Sequence, residues 1–337
     1  MNILIIKDDK PGHYNQTEGL LLSLKNIYPN SNIEYIDVEI KSKISRKFLR
    51  FLLNKFTSFF TNTFNLKYLS LFFKKYNLPL KKPDIIISTG GNTANLNAWL
   101  SKAYTSKNIL NGALRGLKEE LFFCITTVID LGYKNQLILD VAPSIINEDS
   151  LKVKSKDFLK INNFDKKVTH YSLLIGGDGS GYKYDEEFYN KLILFVKKTS
   201  KEKNIKWLIT TSRRTPIDIE NKLEKELLDY CTYFVLFNKK EEKVLLPFFG
   251  LSKFIFVTEE SASMISEAIT SLKPVFTISN NLNTDNTNYN RILEKFENEK
   301  KIKRIFNLEK NDFDNKSFRI ENLSEKLEKK LKMKLLI

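Results

Sequence analysis

The chain has 337 residues, a net charge of +15, 42% hydrophobic content, and only 12 Gly and 8 Pro. That length exceeds one comfortable core and predicts two domains, and the composition excludes a disordered or fibrous chain. Cys124 and Cys231 stand far apart with no CxxC or histidine-rich company, which argues against a zinc site and for a reduced compartment, and no run reaches the ~18 apolar residues of a membrane span.

The N-terminal MNILIIKDDKPGH has no basic lead or cleavage site, so Asn2 to Ile6 reads as a first strand and a cytosolic location is expected. A loop carrying Pro11, Gly12, His13, Asn15 and Gln16 leads into a Leu-rich helix, Gln16 to Ile27. Parallel sheets place catalytic groups in loops at the strands' carboxyl ends. His13 is therefore a candidate general base toward an acceptor hydroxyl, and Asp8, Asp9 or Glu18 can do the same work. The plainer alternative is a helix-entry loop whose histidine bonds backbone.

A second strand, Ile33 to Val38, is followed by residues 41–82, which contain many Lys and Arg and no Asp or Glu. Phe48, Phe51, Phe56, Phe59, Phe60, Phe64, Phe72 and Phe73 are interleaved with them, and Phe48, Leu52, Phe56, Phe59 and Phe60 follow helical spacing. A basic helix with an aromatic face suits an anionic membrane surface. Phenylalanines packed into a core with lysines outside are the nearest alternative. Single-stranded nucleic acid ranks third, because no RNA-binding signature accompanies the segment, and no nucleic-acid partner is expected.

Asp84 to Ser88 is a third strand, Asn95 to Lys102 is helical, and Leu121 to Ile129 and Gln136 to Leu139 are extended. Residues 144–166 are polar and aperiodic, which predicts a boundary between domains at 1–155 and 166–337. The alternation then restarts: His170 to Ile175 (strand), Glu186 to Lys203 (helix), Lys206 to Thr211 (strand), Ile217 to Tyr230 (helix), Tyr233 to Asn238 (strand) and Lys240 to Phe249 (helix). Phe254 to Val257, a helix capped by Ser261, and Val275 to Ile278 form one βαβ unit, and Glu321 to Leu336 is an amphipathic terminal helix. Two successive alternations imply an α/β protein of two Rossmann-like domains facing across a cleft, with the terminal helix packing back.

Three strand ends of the second domain carry ligand chemistry. In LLIGGDGSGY, Gly176, Gly177, Gly179 and Gly181 let the backbone turn sharply and approach a ligand closely, with Asp178 and Ser180 of the same loop as candidate donor contacts, although this is neither GxGxxG nor a Walker loop. In WLITTSRRTP, Thr211 and Ser212 precede Arg213 and Arg214, whose guanidinium groups match a pyrophosphate. In SASMISEA, Ser261, Ser263, Met264 and Ser266 open a helix whose N–H groups suit a phosphate, and Glu267 one turn in can grip a ribose diol. A capped helix with a solvated Glu and a surface arginine pair are the structural alternatives.

The ordered set DDKPGHYNQTEGL, GGDGSGY, TTSRRTP and SASMISEA resembles the family of glycosyltransferases that includes the plant "elongated mitochondria" fission factor. The family commonly has Asp before its SxSM element; here Glu260 stands there. A more distant likeness is to the glycosyltransferase that makes the lipid-linked peptidoglycan disaccharide. These resemblances imply a GT-B fold and sugar transfer from a nucleotide-sugar donor. The second also implies a basic apolar patch on the first domain that sits on a membrane.

The leading expectation is a metal-independent glycosyltransferase with a glycan or glycolipid acceptor, working from the cytoplasm as a peripheral protein on the inner face of the membrane. No cofactor is expected beyond the donor substrate. Arg213, Arg214 and the helix start at 261–264 would stabilise the departing diphosphate. A non-catalytic peripheral membrane protein and a UDP-sugar epimerase are the alternatives.

Overall fold

In the computed structural model, residues 1–165, 167–280, 286–309, 313 and 317–336 are described, the side chain at position 11 excepted. The chain divides into two compact units, Met1–Ile145 with Leu323–Ile337, and Ile146–Asn322.

The first unit begins β1 (Asn2–Lys7), α1 (Pro11–Ile27), β2 (Asn32–Asp37), β3 (Glu39–Ile40) and α2 (Lys43–Lys55). Two 3-10 turns at 57–61 and 63–68 lead to α3 (Leu69–Phe72), β4 (Phe73–Lys75), β5 (Ile85–Thr89), α4 (Gly91–Tyr104), β6 (Lys107–Asn111), β7 (Cys124–Thr127) and β8 (Gln136–Ile138). Six strands form a parallel sheet in the order β2-β1-β5-β6-β7-β8, and β3 and β4 pair apart from it. Continuous apolar runs such as Ile3 to Ile6 and Ile85 to Ile87 are buried on both faces, as helices on either side of a parallel sheet require.

The second unit holds α5 (Glu148–Asn162), β9 (His170–Ile175), α6 (Glu186–Lys203), β10 (Lys206–Thr211), α7 (Ile217–Leu227), β11 (Cys231–Val235), α8 (Leu245–Leu251), β12 (Ser252–Thr258), α9 (Ala262–Thr270), β13 (Val275–Ile278), α10 (Thr287–Asn298) and β14 (Ile302–Ile305). Its parallel sheet runs β11-β10-β9-β12-β13-β14, the Rossmann order with a switch point between β9 and β12. In the first sheet the switch lies between β1 and β5.

Several expectations need correction. Helix α1 begins at Pro11, not Gln16, because the first turn of a helix tolerates proline, which needs no N–H partner there. Residues 148–162 are a helix rather than a linker. Asn147 and Ser150 form a reciprocal cap, and Phe158 packs edge-on against Phe248 of α8. The boundary therefore falls at 145/146 instead of within 155–166. The helix expected at 240–249 starts only at Leu245 and runs on to Leu251. The Phe48-to-Phe60 stripe is not one helix, since α2 stops at Lys55. Strands β6 and β14 were not expected, nor was helix α10, although its Tyr289, Leu293 and Phe296 share one buried face at helical spacing.

The last helix, α11 (Leu323–Leu335), joins the first unit rather than the second. Leu331 and Leu335 are buried in the cluster of Leu20, Leu21 and Leu24 from α1. Asn26 donates to Glu328 at 2.9 Å, and Lys330 pairs with Asp140 at 2.7 Å. Leu331→Ala is expected to destabilise the first unit by about 2–5 kcal/mol. Hydrogen exchange would read this as faster opening of α1 with α6 and α9 unaffected; unchanged exchange in α1 would remove the helix from that core.

Candidate functional site

At the switch point of the second sheet, β12 is followed directly by two adjacent carboxylates with no exposed surface, Glu259 and Glu260. Arg304 grips Glu259 bidentately at 2.7 and 2.8 Å, and Thr277 and Tyr182 donate to it at 2.7 and 3.0 Å. Glu260 accepts from Arg214 at 3.0 Å and from Tyr184 at 3.2 Å. Burial pushes the Glu260 carboxyl up, against the opposing pull of Thr258, Arg214 and Tyr184. The same burial, with the charge of Glu260, raises the Tyr184 hydroxyl far above its ordinary range.

These groups explain the glycine loop. A Cβ on Gly176 would lie 1.6 Å from Glu260 Oε1, and one on Gly177 would lie 1.9 Å from the Arg214 carbonyl oxygen. Both positions are glycine because the pair and the SRRT turn pack directly on them. Ser180 and Gly181 have φ of 51° and 93° and close a two-residue hairpin between Gly179 and Tyr182. Asp178 is exposed and accepts from the Tyr184 N–H at 3.0 Å.

Thr215 ties the SRRT turn to the carbonyls of Ile175 and Gly176 at 3.1 and 3.0 Å. Ser212 Oγ accepts from the Arg214 N–H at 3.2 Å. Arg214 spends one guanidinium N–H on Glu260, and its other guanidinium donors make no bond among the described residues. Arg213 is exposed, with no ion pair among those residues. Thr211 is buried, and its hydroxyl donates to buried Glu220 and accepts from the Phe237 N–H, so it is engaged inside the fold rather than offered to a ligand.

Ser261 caps α9 as expected, accepting from the Met264 N–H at 3.5 Å, and its hydroxyl meets that of Ser263 at 3.2 Å. Met264 and Glu267 are half-buried, whereas Ser266 is buried. Gly176, Gly177, Arg214 and Glu260 thus meet at one strand end. Glu260, Glu259, Tyr184 and Arg304 were missed as site residues, since a carboxylate in sequence does not announce its burial.

At the first sheet's switch point, His13 Nδ1 lies 3.0 Å from both oxygens of Asp8, whose side chain is nearly buried. Burial works against ionisation of Asp8, but the hydrogen bond and charge of His13, with the Lys10 N–H, outweigh it and hold the carboxyl below its usual range. A lowered folded-state value means that the contribution of Asp8 to stability is present above the ordinary carboxylate range and is lost only as pH falls through the lowered value. The imidazole lies over Gly90, where a Cβ would sit 2.2 Å from its Cε1.

The carboxylate orients the ring and leaves Nε2 without a hydrogen bond among the described residues, the base-and-orienter geometry of proton-transfer sites. Asp8 was named only as one acid among three; its spacing from His13 at a strand end was the available signal. Asp9 is exposed and makes no bond among the described residues. Glu18 turns to Tyr35, which donates to it at 3.3 Å, and its Oε1 is buried without a partner. Gln16 accepts from Asn111 at 2.7 Å. Asn15 is half-buried and Gly12 exposed.

His13 lines a cavity of about 280 Å³ with Lys10, Arg46, Arg50, Asn95 and Arg115. Arg46 donates to Asn92 Oδ1 at 2.9 Å and Arg50 to the Arg115 carbonyl at 2.5 Å. These two members of the basic segment therefore face inward. The outward surface carries Ile44, Phe48, Phe51, Phe56, Phe59 and Phe64, all exposed, while Leu49, Leu53, Phe60 and Phe72 are core. Lys55 lies over Phe51 and Phe56, and Lys67 over Phe64.

Among the described residues no group of three or more His, Cys, Asp and Glu is arranged to hold a metal. The sequence has one Asp-x-Asp triplet, 312–314, whose aspartates lie outside the described residues; its Phe313 packs against Phe256 and Phe276 at 5.1 and 5.2 Å. Among the described residues no helix is long and apolar enough to cross a membrane.

The chain is similar over its whole length to the UDP-GlcNAc 2-epimerase of Neisseria meningitidis, solved with UDP-GlcNAc bound (TM-score 0.57, 13% identity, all of both chains covered). It is also similar to MurG of Acinetobacter baumannii (TM-score 0.51, 10% identity, 100% of this chain and 91% of that one). Identities this low establish the fold, which is GT-B. An uncharacterised protein of Rickettsia prowazekii is 24% identical over 342 residues, covering 91% of each chain. The family described as Mitochondrial fission ELM1 matches residues 11–328, and the chain belongs to that family.

Proposed function

We propose that the protein is a metal-independent glycosyltransferase that moves a sugar from a nucleotide-sugar donor, held by the second unit, to a glycan or glycolipid acceptor, held by the first. The observation that carries this reading is Arg214, which Glu260 anchors at the β9/β12 switch point with its remaining guanidinium donors unbonded among the described residues. A guanidinium so fixed, beside exposed Arg213 and the N–H groups that open α9, meets the charge developing on a departing diphosphate. Glu267 is assigned to the ribose diol. His13 Nε2 takes the proton of the acceptor hydroxyl as that oxygen bonds the donor's anomeric carbon, and Asp8 holds the ring in place. No cofactor beyond the donor and no nucleic acid belongs to this reading.

The acceptor is assigned to an anionic membrane surface, with the protein cytoplasmic and peripheral on the inner face. The exposed phenylalanines of residues 44–64, interleaved with Lys47, Lys55 and Lys67, support this: aromatic rings enter the interface while ammonium groups meet anionic headgroups. A second reading, a UDP-sugar epimerase, is favoured by the likeness in fold to the Neisseria meningitidis enzyme. Conversion of a donor sugar to its epimer without any acceptor would replace the transferase reading. Donor binding with no turnover of any kind would leave a non-catalytic membrane protein.

A thermal-shift screen of UDP-, GDP-, ADP- and CMP-linked sugars identifies the donor. With that donor, Arg213→Ala and Glu267→Ala are each expected to weaken binding roughly tenfold or more by calorimetry, as loss of a charge-assisted bond does. Unchanged affinity in folded variants would sink the donor assignment.

His13→Ala is expected to lower turnover by roughly 10²–10⁴-fold with donor affinity intact, and Asp8→Asn to lower it less. Activity that survives His13→Ala but disappears with Asp9→Asn or Glu18→Gln moves the base to that carboxylate.

Replacing Lys47, Lys55 and Lys67 with Glu should release the protein from anionic vesicles, each basic side chain contributing about 1 kcal/mol near the surface. Wild-type binding should also fade as salt rises. Sedimentation in which wild type never pellets with anionic lipid would make the acceptor a soluble glycan.

A further inference from the structure

The cavity beside His13 is cationic beyond anything its own fold uses. Arg46, Arg50 and Arg115 converge on it with Lys10, yet none of the three guanidinium groups is ion-paired among the described residues. No carboxylate lines the space; Asp8 is spent on His13. Like charges gathered in so small a volume repel one another unless an anion joins them. The fold nevertheless holds the gathering in place. A Cβ at Gly91 would lie 2.8 Å from Arg115 Cδ, so glycine there is what lets Arg115 lie across the start of α4. Arg115 itself has a φ of 50°, and Gly116 follows at 91°.

Two further features point to a ligand. The N-cap of α4, Gly90, has no side chain to cap the helix, so no side chain answers the first N–H groups of that 14-residue helix. One turn into it, Asn95 is buried and lines the same cavity, and its Oδ1 has no hydrogen-bond partner among the described residues. A buried acceptor without a donor is unfavourable until a ligand hydroxyl supplies one. The cavity thus asks for an anion that several guanidinium groups can fork, together with a neighbouring hydroxyl. Its volume suits a phosphate or diphosphate group better than a whole nucleotide sugar. No Phe, Tyr or Trp lines it.

We propose that this cavity binds the phosphate or diphosphate group of the acceptor, a phosphorylated sugar, and holds the acceptor hydroxyl within reach of His13. The proposal rests on the transferase reading for its purpose but not for its test. The phosphate comes either from a soluble sugar phosphate or from a polyisoprenyl lipid. Full-length protein is titrated with inorganic pyrophosphate and with glucose 1-phosphate. It is also floated with phosphatidylcholine vesicles with and without a polyisoprenyl phosphate.

Arg115→Gln and Arg46→Gln, checked for folding by circular dichroism, are each expected to weaken binding roughly tenfold or more. Lys253→Gln, at an exposed position of the second unit outside both candidate sites, should leave it unchanged. Binding of the soluble probes identifies a soluble acceptor, and binding only to the phosphate-bearing vesicles identifies a lipid-linked one. Failure of all probes to bind, or binding that both glutamine variants retain, overturns the proposal. Phosphate binding without any nucleotide-sugar binding leaves this site standing and removes the transferase reading.

Discussion

Glu259 and Glu260 are the constraint on which the ligand end of the second unit depends. Each ion taken out of water costs several kcal/mol unless charge and hydrogen bonds replace the lost hydration. Arg304, Thr277 and Tyr182 do this for Glu259, and Arg214 and Tyr184 for Glu260. The glycines of the 176–179 loop are there because this network leaves no room for a side chain. Arg214 is in turn held in place by Glu260 beside that loop. The loop, the arginine and the start of α9 are therefore one assembly, and a change to Glu260 would be felt by all three.

The first unit solves a different problem with similar parts. There a buried carboxylate, Asp8, orients a histidine rather than an arginine, again at the edge where the strand order reverses. Helix α2 does three jobs at once. Leu49 and Leu53 enter the core, Arg46 and Arg50 reach the cavity, and Phe48 and Phe51 stay on the outside. The basic segment is thus neither wholly core nor wholly surface: the core reading holds for Leu49, Leu53, Phe60 and Phe72, while Phe48, Phe51, Phe56, Phe59 and Phe64 stay outside the core.

Strands β1, β5, β9 and β12 were legible because buried parallel strands are written as unbroken apolar runs. Ser261 was legible as a cap because a hydroxyl ahead of an amphipathic run has one common use. The start of α1 was not, since Pro11 and Gly12 read as breakers although proline suits a first turn. Helix α5 hid because its caps and exposed face are polar and only Leu151 and Ser155 are fully buried. Strand β6 hid because its Asn108 and Asn111 are polar yet buried, bonded to Asn97 and Gln16. The site was half-legible. Residue types at strand ends marked where chemistry belongs, but not that Thr211 turns inward to Glu220 or that Asp8 rather than Asp9 meets His13.

The return of α11 to the first unit has a bearing on how the protein is made. Leu331 and Leu335 complete a cluster begun by α1, near the opposite end of the chain. Residues 146–322 must leave the ribosome between the two, which takes roughly ten to forty seconds at ~5–20 residues per second. Throughout that interval the nascent first unit carries an uncovered apolar strip on Leu20, Leu21 and Leu24. The second unit, contiguous in sequence, can finish folding before the first is closed. Newly made chains thus pass through a stage in which the later-synthesised half is mature and the earlier half still presents a surface that a chaperone would recognise.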